Sequence, residues 1–285
     1  MRIAVISDTH VSPEASAFVQ NLAAVRHWIQ KLRPDLVAHL GDGTVDGPRA
    51  PSQYQFLKDT LCGLPCPIRW LPGNHDIGED AVAAEAAGEA VVSQQALSAW
   101  RNILGPDYWS IHTDGWQIIG LDSLLFGRAD TEGSAQWTWL ENELSSGSAK
   151  LGVMLHKPLF RDAPTDTEQH PRYIPAGERS RLWNALKTRD LRFILSGHTH
   201  QLRQTRVAGV EIVWAPSSAY RIPDAAQETI GRKLVGTLLL ELGGADHIFA
   251  FVEPKGVTQH NIADHPDVYP DLAVKIARSR GGSHS

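Results

Sequence analysis

Cysteine is nearly absent from this 285-residue chain: there are two, Cys62 and Cys66, four positions apart around Gly63-Leu64-Pro65. Two thiols cannot build a disulfide framework, a four-cysteine zinc site or an iron–sulfur cluster. A metal or a single disulfide between them is the lesser alternative, and reduced, partly buried thiols are expected. Long apolar runs are missing too. No stretch of 18 apolar residues occurs and the chain enters a short aliphatic run at once, so neither a membrane span nor a signal peptide is expected, and the protein reads as cytoplasmic. Excess charge is small. A formal net charge of −5 gives no electrostatic basis for non-specific binding to nucleic acid or to anionic membranes. The nine tryptophans are scattered through an acidic chain and read as core and hairpin packing rather than a base-stacking platform. What remains is an ordinary globular composition, 42% hydrophobic and 21% charged, long enough to bury a sizeable core in one large α/β domain or two smaller ones.

Against this plain background stand five polar motifs, each closing an apolar run: Asp8-Thr9-His10, Gly41-Asp42, Gly73-Asn74-His75-Asp76, His156 and Gly197-His198-Thr199-His200. The runs before them cover residues 2–7, 36–40, 68–71, 151–155 and 192–195. They are short, mostly aliphatic and bounded by polar residues, Gly or Pro, as strands buried on both faces are. Each motif therefore falls where a strand gives way to a loop. In open α/β sheets that edge is where loops converge on one crevice.

The donors gathered there are carboxylates, an amide oxygen and imidazoles, with no thiolate. Such a set suits Zn²⁺, Mn²⁺, Fe or Co far better than Cu(I). One metal takes four to six ligands, and seven candidates besides His75 are present: Asp8, His10, Asp42, Asn74, His156, His198 and His200. The count points to two metals sharing a bridge. Any one of these residues alone reads better as a cap, a turn or a satisfied polar group at a strand end. Jointly they read as a ligand set. Seven further histidines, His27, His39, His112, His247, His260, His265 and His284, fit no motif and are read as ordinary.

In order and spacing the motifs resemble those of the calcineurin-like metallophosphoesterases, over roughly the first 200 residues. The resemblance implies that Asp8, His10, Asp42 and His200 hold one metal ion and that Asp42 bridges to a second, completed by Asn74, His156 and His198. It implies attack on a phosphoester by a metal-bridging hydroxide, with Mn, Fe or Zn as the metals. His75, beside Asn74, is then the group that stabilises the phosphoryl oxygens or protonates the leaving oxygen. Asp76 is expected to orient it, with Asp46 as the rival. In the protein serine/threonine phosphatase branch an Asp three positions after the Gly-Asp carboxylate, followed by Arg-Gly, supports this histidine. Here Asp46 stands four positions on and no Arg follows it directly, which argues against that branch.

Helical spacing is expected over 15–32, 52–62, 95–104, 135–144 and 178–188, with a loop and helix over 77–88 near the site mouth. Tyr108-Trp109-Ser110-Ile111 and Trp116-Gln117-Ile118-Ile119 read as a hairpin across Thr113-Asp114-Gly115. Strands are expected at 210–214, 234–241 and 247–253. Alternating strands and helices followed by strands alone predict two sheets packed face to face with helices outside. The resemblance makes this an α/β fold, the four-layered α/β/β/α sandwich of two mixed β-sheets flanked by helices. Residues 1–255 form that catalytic domain. Residues 256–285 are a polar extension, read either as a cap on a neighbouring subunit's site, in a homo-oligomer, or as a tail.

Selection among substrates falls to the loops 77–94, 157–177 and 216–232, the middle one carrying Arg161, His170, Arg172 and Tyr173. Compact size, the Gly-Asn-His-Asp motif and Leu155-His156-Lys157-Pro158 look most like the bacterial phosphodiesterase branch that includes cyclic-nucleotide and glycerophosphodiester hydrolases. A small-molecule phosphodiester is the expected substrate. A phosphomonoesterase on a small phosphorylated metabolite is the alternative, and a catalytically silent, metal-stabilised scaffold is the reading from another class.

Overall fold

The structure is a computed structural model and describes residues 1–80, 83–84, 90–145, 147, 149–270 and 272. Strand β1 (Arg2–Ile6) lies at the middle of the first sheet, with β2 (Leu36–His39) and then β3 (Ile68–Trp70) parallel on one side. On its other side β10 (Thr237–Leu242) and β11 (His247–Val252) run antiparallel, giving the order β11-β10-β1-β2-β3. The second sheet has the order β4-β5-β6-β7-β9-β8. Its β5 (Trp116–Gly120), β6 (Lys150–Leu155), β7 (Leu191–Ser196) and β9 (Val210–Trp214) are parallel, while β4 (Trp109–Thr113) and β8 (Arg203–Val207) are antiparallel edges.

Because successive strand side chains point to opposite faces, each central strand feeds two cores. Ile3 and Val5 of β1 join Leu36, Ile118, Met154, Leu195 and Leu240 between the two sheets. Ala4 and Ile6 turn outward onto α1 (Ser16–Leu32), α2 (Ser52–Thr60) and, after the single turn α3 (Asn74–Ile77), α4 (Gln94–Leu104), through Leu22, Val25, Leu57 and Trp100. On the far side Val153, Leu155 and Ile194 meet Trp137, Leu140, Leu182 and Leu186 of α5 (Thr131–Ser145) and α6 (Ala176–Leu186). These are the four expected layers.

Local chemistry sets the boundaries. Helix α1 ends at Arg33, which turns left-handed (φ 49°) and donates its N–H to Ile29, and Pro34 cannot extend the helix. The β4–β5 hairpin pairs Ile111 with Ile118 through Asp114 (φ 38°) and Gly115 (φ 81°), the left-handed pair a tight hairpin turn requires. Helix α5 starts four residues before the expected 135, because the Asp130 carboxylate accepts the Gly133 N–H and caps it. Strand β10 begins at Thr237 rather than 234, since Val235 and Gly236 are taken up by Ser217. Strand β8 was not expected. It is a polar edge, Arg-Gln-Thr-Arg-Val, and an edge strand needs no apolar alternation. The helix expected within 77–88 lies partly outside the described residues; Ala83 and Ala84 are helical. His284 also lies outside them.

Cys66 is half-buried while Cys62 is exposed rather than partly buried, and neither forms a disulfide. Among the described residues no helix is long and apolar enough to cross a membrane.

Candidate metal centre

All five motifs converge where β1, β2, β3, β6 and β7 end. The convergence bends the backbone. Among the described residues, five of the eight non-glycine positions with positive φ are ligand candidates: Asp8 (52°), His10 (44°), Asp42 (51°), His198 (66°) and His200 (52°). Left-handed backbone costs a non-glycine residue about 1–3 kcal/mol and tends to gather at functional sites, with Asp and His among the types that tolerate it. Each sharp turn at a strand end aims a polar side chain inward instead of along the strand.

The seven candidates come together in two groups, buried except for the half-buried Asn74 and His198. In the first, His200 Nε2 stands 3.4 Å from Asp8 Oδ1 and 3.2 Å from His10 Nε2. In the second, His156 Nε2 lies 3.1 Å from His198 Nδ1 and 3.3 Å from Asn74 Oδ1. Asp42 belongs to both. Its Oδ2 is 3.8 Å from His10 Nε2 and 3.3 Å from His156 Nε2. Asp8, His10 and His200 can converge on one ion, and Asp42, His156 and His198 on another.

Hydrogen bonds behind the rings decide which nitrogen faces inward. His156 Nδ1 donates to the Leu40 carbonyl at 2.8 Å and His200 Nδ1 to the Tyr220 carbonyl at 2.9 Å. A carbonyl only accepts, so Nδ1 carries a proton in both rings and Nε2 is the nitrogen turned to the cluster. His10 Nδ1 meets the Tyr269 hydroxyl at 2.7 Å. Burial pushes His10 and His198 well below the ordinary imidazole range, so both are neutral. At His156 burial works the same way but is outweighed by the Asp42 charge, which pushes it up to about 9. Burial likewise opposes ionisation of Asp42, yet His156 and His75 hold it well below the carboxylate range. The Nε2 atoms of His10 and His200, 3.2 Å apart, lie with the Asp8 and Asp42 carboxylates around one point where a cation is favoured, and imidazoles anchored through Nδ1 are the usual companion of metal ligation. The residues present therefore fit a pair of metal ions.

His75 is half-buried, packs edge-on to His10 at 4.9 Å and meets the Val45 carbonyl through Nδ1 at 2.9 Å. Asp76 is the residue expected to orient it. Its carboxylate accepts the N–H groups of Gly43, Thr44 and Gly73 and the Thr44 hydroxyl, at 2.8–3.1 Å. It thus ties the second motif to the third. Burial first, then the Asp42 charge, push Asp76 up to about 6 against those donors. Asp46 pairs with Arg49 on the surface.

Several contributors are not among the candidates read from the sequence. His39, read as ordinary, is fully buried under the first two motifs. Gly41 N–H donates to its Nδ1, so Nε2–H donates to Thr9 Oγ1 at 3.0 Å, and Thr9 in turn donates to the Gly43 carbonyl. Ser217 Oγ donates to the Asp8 carbonyl and Ser7 to the Asp8 carboxylate. Lys157 is fully buried, with Nζ 2.6 Å from both Glu79 and Asp80. The stretch Ala215 to Tyr220 closes β9 as the five motifs close their strands, and that position was the available clue. Of the middle loop, Tyr173 is a buried packing residue against Trp214, and Arg161 pairs with Glu228 of the next loop at 2.9 Å. His170 Nδ1 accepts the Arg172 N–H.

The calcineurin-like phosphoesterase family model matches residues 1–202. The 3',5'-cyclic adenosine monophosphate phosphodiesterase CpdA of Escherichia coli is 28% identical over 255 residues, 85% of each chain. The glycerophosphodiester phosphodiesterase GpdQ of Enterobacter lignolyticus is 27% identical over 250 residues, covering 80% of this chain and 81% of that one. Among solved structures, a dimetal phosphatase from Danio rerio superposes with a TM-score of 0.57 over 89% of this chain and 99% of its own, at 12% identity, which shows a shared fold.

Proposed function

The chain belongs to the calcineurin-like phosphoesterase family and is a phosphoric ester hydrolase, and on that premise we propose a binuclear metal-dependent phosphodiesterase acting on a cyclic-nucleotide or glycerophosphodiester type of substrate. The observation that carries the reading is Asp42 Oδ2, within 4 Å of an imidazole of each buried donor group. Asp8, His10, Asp42 and His200 would hold one ion, and Asp42, Asn74, His156 and His198 the other. When bound, such a pair acidifies water and neutralises charge on phosphoryl oxygens.

The protein supplies the rest. Only two of the seven donors are carboxylates, so two divalent ions leave the pocket net positive, as an anionic diester requires. The anchored imidazoles hold the donor atoms in place without reorganisation during the reaction. His75 is not one of the seven donors: its half-buried ring has Nδ1 committed to the Val45 carbonyl, so it is the imidazolium that gives, from Nε2, a proton to the departing alkoxide. The activities for which the cyclic-nucleotide and glycerophosphodiester relatives are named support a diester over a monoester.

The experiment is hydrolysis of bis(p-nitrophenyl) phosphate beside p-nitrophenyl phosphate by metal-stripped protein with Mn²⁺ restored. Faster diester cleavage is expected and leads to cyclic nucleotides and glycerophosphodiesters as the next substrates. Faster monoester cleavage moves the protein to the phosphomonoesterase reading. Two bound metals with neither ester cleaved sinks the proposal in favour of a scaffold.

A further inference from the structure

Three inward-facing imidazoles are anchored through Nδ1, but by unlike partners. Leu40, at the end of β2, and Tyr220, in the loop after β9, supply main-chain carbonyls to His156 and His200. His10 is anchored by a side chain, the Tyr269 hydroxyl at 2.7 Å, 259 residues further along the chain. Tyr269 lies beyond the last strand, in the segment whose sequence suggested a tail or a cap on another subunit.

That segment is built onto the sandwich at several points. Asn21 brackets Thr258, accepting its N–H at 2.8 Å and donating to its carbonyl at 2.9 Å. Arg221 N–H donates to the His260 carbonyl, and Ile262 N–H to the Arg221 carbonyl. The Asn261 side chain caps a short 3-10 turn, Ile262–Asp264, and Ile262 is 2% exposed in a cluster with Phe18 and Tyr220 that Val268, Tyr269 and Leu272 complete. Tyr269 then stands with its ring 5.4 Å from His75, 5.8 Å from His10 and 6.0 Å from Tyr220, each roughly edge to face. Its ring walls the His10 and His75 side of the centre.

We propose that Tyr269 is a positioning residue for the metal centre: its hydroxyl holds the His10 ring so that Nε2 faces Asp8, Asp42 and His200, and the C-terminal segment is thereby a cap on this chain's own site. The inference rests on the reading of His10 as a metal ligand. With Nε2 committed to an ion, Nδ1 keeps the ring proton and donates it to the phenol oxygen. Loss of such an outer hydrogen bond typically weakens metal binding 10- to 100-fold.

The test is a Co²⁺ titration of the metal-stripped full-length chain, followed by calorimetry and by the visible absorption of each step, for wild type, Tyr269→Phe and His10→Ala. Tyr269→Phe keeps the ring and removes only the hydroxyl. One of the two Co²⁺ steps is expected to weaken about tenfold with altered absorption, at the step His10→Ala abolishes, while the other keeps its affinity. Unchanged affinity at both steps in Tyr269→Phe, with one step lost in His10→Ala, overturns the inference and leaves the ligand reading standing. Equal weakening of both steps also overturns it, since that is the signature of general loosening. If His10→Ala retains both steps, the ligand reading fails and the inference with it.

Discussion

The backbone N–H of His75 donates to Oδ1 of Asp42 at 2.9 Å, so the carboxylate lying between the two donor groups is aimed by the residue next to Asn74. The third motif thus sets the geometry of the second as well as contributing its own donor.

Asp42 is expected to be indispensable. Asp42→Ala should remove at least one of two bound metals and reduce diester turnover by several orders of magnitude, as measured by metal content per chain beside the rate. Full activity with two metals bound would refute a bridging role. A second probe is Gly73→Ala: a Cβ there collides with the Asp42 carboxylate and main chain, and should lower metal content without replacing any donor.

His75→Gln should leave metal content unchanged while slowing hydrolysis. The loss is expected to grow from about tenfold for an activated aryl leaving group towards 10²–10⁴-fold for an alkoxide, because general acid catalysis matters most where the leaving oxygen is basic. A plot of rate against leaving-group pKa for both proteins measures this. Parallel lines would rule out proton donation.

Lys157 is a stability prediction. Its ammonium is fully buried between Glu79 and Asp80, and burial holds the Glu79 carboxyl up at about 7 even with Lys157 beside it. Lys157→Met leaves two buried carboxylates without their cation and should cost about 3–5 kcal/mol in urea unfolding. Adding Glu79→Gln and Asp80→Asn should recover most of that loss. A triple variant no more stable than the single one would contradict the charge argument.

His39 should make folding acid-sensitive. Burial lowers its imidazole from 6.5 to about 3, so the unfolded chain binds a proton there that the folded chain does not. The neutral form's contribution is complete above pH 6.5 and is lost as pH falls towards 3. Between pH 7 and pH 5 one such group costs about 2 kcal/mol. His39→Gln, whose amide both donates and accepts, is therefore expected to be less stable at pH 7 but to lose about 2 kcal/mol less than wild type on acidification. Denaturant melts of the metal-stripped proteins at the two pH values check it. Identical pH dependence would assign the acid sensitivity elsewhere.

Much of this was legible from residue order alone. The runs before Asp8, Asp42, His156 and His198 are mostly apolar without alternation, as strands covered on both faces are, and they are β1, β2, β6 and β7; the run before Asn74 is the edge strand β3, with Arg69 exposed. Helix α1 and the β4–β5 hairpin could be read from spacing and from Asp114-Gly115. Strand β8 could not, because its polar edge carries no periodic demand. Nor could the work of Asp76, since adjacency to His75 says nothing about where a carboxylate finds its donors.

By itself, then, the sequence determined the donor types, their order and the buried strands that end in them, because hydrophobic period and side-chain chemistry are local properties. Tertiary structure alone decided that Asp42 lies between both groups, that Asp76 laces two motifs together, and that His39 and Tyr269 stand behind the site. Those are contacts between residues dozens to hundreds of positions apart. Their partners are chosen by the stacking of two sheets and the return of the chain after β11, which no local pattern encodes.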